Sequence, residues 1–511
     1  MKISKSTLVF YFILLIVSIK FFTIDHIATR PLNDYDEARY AEVSKNMISS
    51  GEFLIPLAGG PDEPRTLVIT HAKNGGELYP FFWKPPLVIW LQSMSMKLIG
   101  MNELAARIPS LIASIGILIL TYKLMSLYQI DTIIKLVFIS TFALSYDFTY
   151  LATQGTTDAV FCFLSTFVLY IAHTKHRLSY IFAGIATGLA ILTKSIAAFW
   201  IPFAYIATIY MRKAFSVKKC ADYLSALILI AAPWFIFMYA RFGNIYISRH
   251  FLLNLQGGAA NGQNFAPIQW YGIYMLDMWK PLIFLAPIVL FTLLKKIQKK
   301  DFAFLPILIW ALLILIPFSI SASKVWWYIF PMWPAFILLL AISLDYIQQK
   351  KAALTIASLL LLCSILPYWQ LSIHHIPLKA FIFLVCISTA ALFFIKDFLQ
   401  EKKIYLYVFA ALLFVISIYH SYTYFPRNPT WNTDIKKLGL RNQGLTHIGV
   451  LGRAYEAPLY YFNSHNIDTY STPYIEWKYL IYKKNSMPVD LSTFVLIDKE
   501  GDMELYKSIK K

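Results

Sequence analysis

Long apolar runs recur along this chain from Leu8 to Tyr419, separated by short clusters of basic residues. That alternation restricts the fold more than any motif does. About 20 apolar residues in a helix bridge the roughly 30 Å hydrocarbon layer of a bilayer, and a helix satisfies its own backbone on the way. Of 511 residues, 58% are hydrophobic and 14% charged, whereas soluble domains run near a quarter charged. The chain therefore reads as a polytopic α-helical membrane protein. Its net charge of +18 would suit a nucleic-acid partner, but the cations sit between apolar runs as they do in cytoplasmic loops, so no nucleic acid is expected. Cys162, Cys220, Cys363 and Cys386 lie in or beside apolar runs without metal-ligand spacing and read as packing residues.

Charge bias sets the expected topology. Lys2 and Lys5 precede the run 8–22, and no small-x-small cleavage site follows, so an uncleaved first span with a cytoplasmic amino end is expected. The run 87–99 is only 13 residues long and is read as non-spanning, because a crossing there would turn every later basic loop outward. The remaining runs 8–22, 108–127, 133–151, 159–172, 180–192, 195–211, 224–240, 271–294, 302–320, 326–344, 352–366, 381–395 and 404–419 make about 13 transmembrane helices. Residues 1–420 then form a transmembrane domain with extracytoplasmic loops at 33–107 and 241–270, the first with helices of its own. An odd count leaves residues 421–511 outside as a small α/β domain of about 90 residues, with strand-like 447–450 and 493–497 around a helix at 456–462. Within the first loop, 66–79 reads as a β-hairpin. No internal repeat is visible, which weighs against a repeat-built transporter.

Charged residues on the expected outer side are the candidates for chemistry. Asp36 and Glu37 could hold an acceptor, take its proton or bind a metal, with Arg39 suited to grip a phosphate; the same stretch also reads as a solvated loop or a helix start capped by Asp34. Lys84, stiffened by Pro85 and Pro86, could meet a phosphate or serve as an interfacial anchor. Asp158 could line a site or cap a helix. Lys194 and Lys324 are outer-side cations against the positive-inside trend, and Arg249 with His250 adds another from the second loop. Cations from five separate outer segments, Arg39, Lys84, Lys194, Arg249 and Lys324, point to a phosphate or pyrophosphate on a membrane lipid.

Six stretches in order carry a resemblance: Asp36-Glu37-Ala38-Arg39-Tyr40-Ala41-Glu42, Lys84-Pro85-Pro86, Arg107-Ile108-Pro109-Ser110, Asp158, Leu192-Thr193-Lys194, and Ser323-Lys324 followed by Tyr328-Ile329-Phe330-Pro331. Together they resemble the C-type glycosyltransferase superfamily, in the branch of the lipid A aminoarabinose transferases and protein O-mannosyltransferases. The resemblance covers about residues 8 to 350; the tail matches only in general kind. It implies a polyprenyl-phosphate (undecaprenyl-phosphate) sugar donor and transfer at the outer face of a bacterial inner membrane, with a periplasmic C-terminal domain. It further implies that Asp36 and Asp158, with Glu37 beside them, are catalytic. Lys84, Arg39 and Lys194 would hold the donor phosphate, with Tyr328, Lys324 and Arg249 as further contacts. The implied acceptor is lipid A or a related envelope glycolipid. Protein O-glycosylation is the alternative, and a lipid-linked sugar flippase, which would want ionisable residues in mid-span, the remote one.

Two departures from the family stand out. Aminoarabinose transferases commonly have an acidic metal-site residue before Lys-Pro-Pro, and Trp83 stands there, so that metal is not carried over. No cofactor is assigned, a divalent metal stays open, and the lipid-phosphate sugar is a substrate. The stretch 61–81 looks like an insertion that could reshape acceptor choice.

Overall fold

The fold is taken from a computed structural model. The structure describes residues 15–21, 26–33, 35–59, 67–71, 77–252, 266–279, 282–347, 430–443, 445, 448–451, 456–462, 467–468, 477–483 and 491–509. The expected spans at 352–366, 381–395 and 404–419 lie outside these residues.

Helices α1 (Asp36–Ser50) and α2 (Leu87–Ile99) form a layer beside the apolar bundle. At 1.5 Å per residue the 13 residues of α2 extend only about 20 Å, short of a bilayer crossing. Between them, β1 (Leu57–Ala58) pairs antiparallel with β3 (Glu77–Pro80), which also pairs with β2 (Thr70–His71). The bundle follows: α3 (Glu103–Leu127), α4 (Thr132–Leu144), α5 (Tyr146–Thr153), α6 (Thr157–Ala172), α7 (Ser179–Lys194), α8 (Trp200–Met211) and α9 (Val217–Phe242). Beyond a second loop come α10 (Trp270–Met278), α11 (Ala286–Gln298), α12 (Leu305–Ile320) and α13 (Trp333–Ile347). Among the described residues, four helices are long and apolar enough to cross a membrane, or up to six if each bent pair is one span. This is a polytopic helical membrane protein.

Several expected spans prove to be broken. The run 133–151 bends by 63° between α4 and α5. Ser145 sits at the break in extended conformation and caps α5, its hydroxyl accepting from Phe148 N at 3.3 Å. The bend serves a buried carboxylate: Asp147 accepts from Tyr274 Oη (2.7 Å), Trp279 Nε1 (2.6 Å) and Trp333 Nε1 (3.1 Å). An intramembrane acid without such donors would be costly. Residues 271–294 are likewise two pieces, Trp270–Met278 and Leu282–Gln298, bent by 107°. The run 326–344 begins as a 3-10 turn, Trp326–Met332, with Pro331 inside it.

Close approach of α7 and α9 rests on two glycines one turn apart. A Cβ on Gly184 would come within 2.3 Å of the Tyr223 carbonyl, and one on Gly188 within 2.9 Å of the Leu227 carbonyl. Small residues at this spacing let membrane helices pack backbone to backbone.

In the tail, the sheet order is β5-β4-β6-β8-β7, with β4 (Ile448–Leu451) parallel to β5 (Ile467–Asp468) and β6 (Tyr479–Lys483), and β8 (Met503–Ser508) antiparallel to β6 and β7 (Phe494–Glu500). Helices α14 (Thr430–Arg441) and α15 (Glu456–Phe462) lie against it. Ile435, Leu438, Tyr460 and Tyr461 share one core with Leu32, Ala38 and Ala41 of the first loop and Met96 and Ala105 of α2 and α3. Tyr461 Oη accepts from Leu32 N at 2.8 Å and donates to Glu103 at 3.1 Å, so the tail is bolted to the loop that carries Asp36.

Gly184→Ala is expected to destabilise the protein by about 1–3 kcal/mol, because the new methyl meets backbone that cannot yield. Gly272→Ala, with nothing within 4 Å of the added carbon, is expected to be neutral or stabilising by up to about 1 kcal/mol. Thermal unfolding of both variants in detergent checks the pair.

Candidate active site

A buried ion pair sets the frame of the site. Arg107, on α3, is wholly buried and uses all five of its N–H donors. Nε and Nη2 reach the two oxygens of Glu37 at 2.7 and 3.1 Å; Nη1 donates to the carbonyls of Ile27 (2.9 Å) and Arg30 (2.7 Å), and Nη2 also to Pro31 (2.9 Å). Glu37 accepts in addition from Gly155 N and Asn33 N, both at 2.8 Å. Burial alone would raise the Glu37 carboxyl, but the charge and hydrogen bonds of Arg107 outweigh it and hold the group below its ordinary value. Glu37 is thus a fixed strut joining the entry loop, α3 and the turn before α6.

Asp36, one residue earlier, faces elsewhere, since neighbours on a helix point about 100° apart. It is half-buried and shares its surroundings with Lys84, Asp158, Lys194 and the Tyr40 hydroxyl. Burial pushes its carboxyl above the ordinary 3.8, opposed mainly by Lys84 and reinforced by Asp158. Lys84, just before α2, is pulled below the ordinary 10.5 by burial and by Lys194, against the pull of Asp36. Asp158 lies in the first turn of α6 rather than at its cap, which is Thr156. It forms an ion pair with Lys194 and accepts from Thr156 Oγ1 at 3.0 Å. Lys194 is the last residue of α7, and its Nζ lies 5.3 Å from the Tyr328 ring centroid and 5.7 Å from that of Phe161.

Two carboxylates and two ammonium groups from four segments far apart in sequence therefore meet beside one tyrosine. The backbone is strained at two of the entrances. Tyr35, before Asp36, has φ 65° and ψ −120°, and Ser195, after Lys194, has φ 48° and ψ −118°. Neither conformation suits a residue with a Cβ, and such strain gathers at functional sites at a cost of order 1–3 kcal/mol each.

The other expected contacts are Arg39, Lys324 and Arg249. Arg39 is buried and donates to the Gly59 carbonyl at 2.9 Å, beside Glu42. Lys324 donates to the carbonyls of Ala266 (2.7 Å) and Ser321 (2.6 Å), stitching the second loop to the turn before Tyr328. Arg249 is exposed on the π-helical turn Ile247–Leu252. Trp83 is exposed, and among the described residues no three His, Cys, Asp or Glu side chains gather as they would around an ion.

Tyr40 was not singled out by sequence, though its spacing of four from Asp36 puts both on one helical face. Ser195, next to Lys194, and Thr156, two residues before Asp158, are marked by side-chain bonds to His250 and Asp158 that exist only in the folded chain.

The family described as dolichyl-phosphate-mannose-protein mannosyltransferase matches residues 83–237, a stretch that begins at Trp83 and carries Lys84, Asp158 and Lys194. An undecaprenyl phosphate-alpha-4-amino-4-deoxy-L-arabinose arabinosyl transferase of Aeromonas hydrophila is 29% identical over 349 residues, 65% of this chain and 59% of the relative. A protein of Aquifex aeolicus with no described activity is 27% identical, over 62% of this chain and 60% of its own length. The family match and the Aeromonas relative accord with the resemblance to the C-type glycosyltransferase superfamily carried by the six sequence stretches. ArnT from Cupriavidus metallidurans, solved in the apo state and bound to undecaprenyl phosphate, superposes with a TM-score of 0.72 at 16% identity, over 98% of both chains in the apo form. An oligosaccharyltransferase of Archaeoglobus fulgidus shares the fold more distantly, with a TM-score of 0.56 at 11% identity over 94% of this chain and 69% of that one. The chain spans about three fifths of the length of the curated relatives it matches.

Arg107→Ala is expected to cost about 3–5 kcal/mol, since it leaves Glu37 buried and unpaired. The contribution of Glu37 is full above pH 4.5, the ordinary glutamate value, and is lost as pH falls through its lower folded value. Glu37→Gln should therefore remove part of the acid sensitivity of unfolding, read as the unfolding midpoint against pH.

Proposed function

We propose that this chain is an integral-membrane glycosyltransferase. It moves a sugar from a polyprenyl-phosphate donor, such as undecaprenyl phosphate-linked sugar, to lipid A or a related envelope glycolipid at the outer face of the inner membrane. The observation that supports this best is the cluster of Asp36, Lys84, Asp158 and Lys194 beside Tyr328. The aminoarabinosyl transferase relatives and the undecaprenyl phosphate held by the fold neighbour agree with it.

In such a transfer the acceptor oxygen bonds to the anomeric carbon while the bond from that carbon to the phosphate oxygen breaks. The departing polyprenyl phosphate goes from one negative charge to two. Lys84 and Lys194, both in a partly dehydrated setting, are suited to stabilise that growing charge. Their carboxylate partners balance the two cations, so neither is left as a bare buried charge. For a hydroxyl acceptor, Asp36 is the general base, and its raised pKa makes it more basic than an ordinary aspartate. For an acceptor phosphate, already ionised, Asp36 orients rather than deprotonates. A second reading, protein O-glycosylation with the same donor type, is favoured by the description of the family that matches residues 83–237.

With a hydroxyl acceptor, activity should fall on the acid side as Asp36 takes up a proton, at a pH above the ordinary 3.8. On the alkaline side it should fall as Lys84 loses its proton, below 10.5. Asp36→Asn, Lys84→Ala and Asp158→Asn should each lower kcat/KM by about 100-fold or more. Full activity in all three, in properly inserted protein, would refute these roles.

Mass spectrometry of lipid A from cells with and without the gene identifies the acceptor. Loss of a hexose-, hexosamine- or aminopentose-sized mass on deletion is the expected result. Unchanged lipid A together with a lost protein glycan would establish the second reading.

A further inference from the structure

Lys84 and Lys194 carry like charges on segments about 110 residues apart, and a third element braces both. His250, on the π-helical turn Ile247–Leu252, is buried, with 1% of its surface exposed. Its Nδ1 meets the Phe82 carbonyl at 2.6 Å, two residues before Lys84. Its Nε2 meets Ser195 Oγ at 3.0 Å, the residue after Lys194.

The partners settle the tautomer. A carbonyl only accepts, so Nδ1 carries the proton and Nε2 accepts from the serine hydroxyl. Burial, and then the nearby Lys84 charge, hold the imidazole down to about 4 against the Phe82 bond, so it stays neutral and gives a fixed strut rather than a switch. The ring is gripped by Tyr246, stacked at 5.1 Å, and by Phe251, Phe235 and Trp234 at 4.7, 5.7 and 6.3 Å. A clamped ring can transmit position. One of its bonds ends on Ser195, whose φ of 48° needs outside support to persist.

We propose that His250 is a positioning residue of the second extracytoplasmic loop, setting the separation of Lys84 and Lys194 so that both reach one phosphate group. This rests on the reading of those lysines as the donor-phosphate cradle. His250 itself touches no reacting atom. It couples the second loop to the spacing of the cradle, and π-helical turns recur at functional positions of this kind.

The test uses the full chain in detergent, with undecaprenyl phosphate as the probe, and compares binding across His250→Ala, Lys84→Gln, Lys194→Gln and the triple variant. Each lysine change should weaken binding. His250→Ala should weaken it about tenfold, the scale of a lost buried hydrogen bond. On the double-lysine background, His250→Ala should cause no further loss, because there is then no cradle to space. His250→Gln, which can still reach Ser195, should recover part of the affinity. Ser195→Ala, which removes one bond only, repeats the comparison with a smaller loss should His250→Ala fail to fold. An equal His250 effect with and without the lysines would reduce the residue to general structural support and overturn the proposal. So would an unchanged affinity in His250→Ala while the lysine variants bind weakly. Unchanged binding in the lysine variants themselves would instead remove the cradle, and with it the functional reading on which the proposal stands.

Discussion

The buried pair of Glu37 and Arg107 is the contact on which the rest of the site depends. A guanidinium wholly removed from water is tolerated because each of its donors ends on an oxygen, two on Glu37 and three on carbonyls of the entry loop. The same carboxylate reaches the amide of Gly155, three residues before Asp158. One ion pair therefore ties the start of α1, the first turns of α3 and the turn before α6 into a single corner. Asp36 and Asp158 inherit their positions from that corner. The tail adds to it through Tyr461 and through Lys436, which pairs with Glu103 at 2.5 Å and donates to the Thr29 carbonyl at 3.1 Å.

The cluster built on this corner is electrically balanced and geometrically tense. Two acids and two lysines lie close together without full solvation, and burial moves Asp36 upward and Lys84 downward against the pull each exerts on the other. Such opposed shifts are what a site needs if one group is to accept a proton while another stabilises a leaving anion near neutral pH. Ser195 and Tyr35 hold conformations disfavoured for side chains beyond glycine, and each adjoins a member of the cluster. Local stability is given up at those two points to aim Lys194 and Asp36.

Much of the site was legible because charge is conspicuous in so apolar a chain. Asp36, Lys84, Asp158 and Lys194 stand out as charges on the expected outer side and Tyr328 through the family resemblance, and the structure brings these five together. Roles within the acidic pair were not legible. Asp36 and Glu37 are adjacent in sequence, yet helical rotation sends one to the charged cluster and the other to the buried Arg107. Arg39 and Lys324 looked equivalent to Lys84, but both donate to backbone carbonyls, a destination that depends on loops folded from elsewhere. The bends in the expected spans 133–151 and 271–294 are not legible because hydropathy measures length and greasiness, not direction; the first bends where Asp147 meets donors on α10, on the residue that follows it and on α13.

By itself, the sequence determined that this protein lives in a membrane, since so many apolar runs leave no soluble alternative. It also determined which charged residues stand out against them, and that α2 is too short to cross. Tertiary structure alone decided which of those charges share a site, which act as struts, and where His250 reaches. The reason is physical. Hydrophobic periodicity is a local property that survives in a string of letters, whereas an ion pair, a hydrogen bond to a carbonyl or a bend at a buried acid exists only once distant segments have been packed against each other.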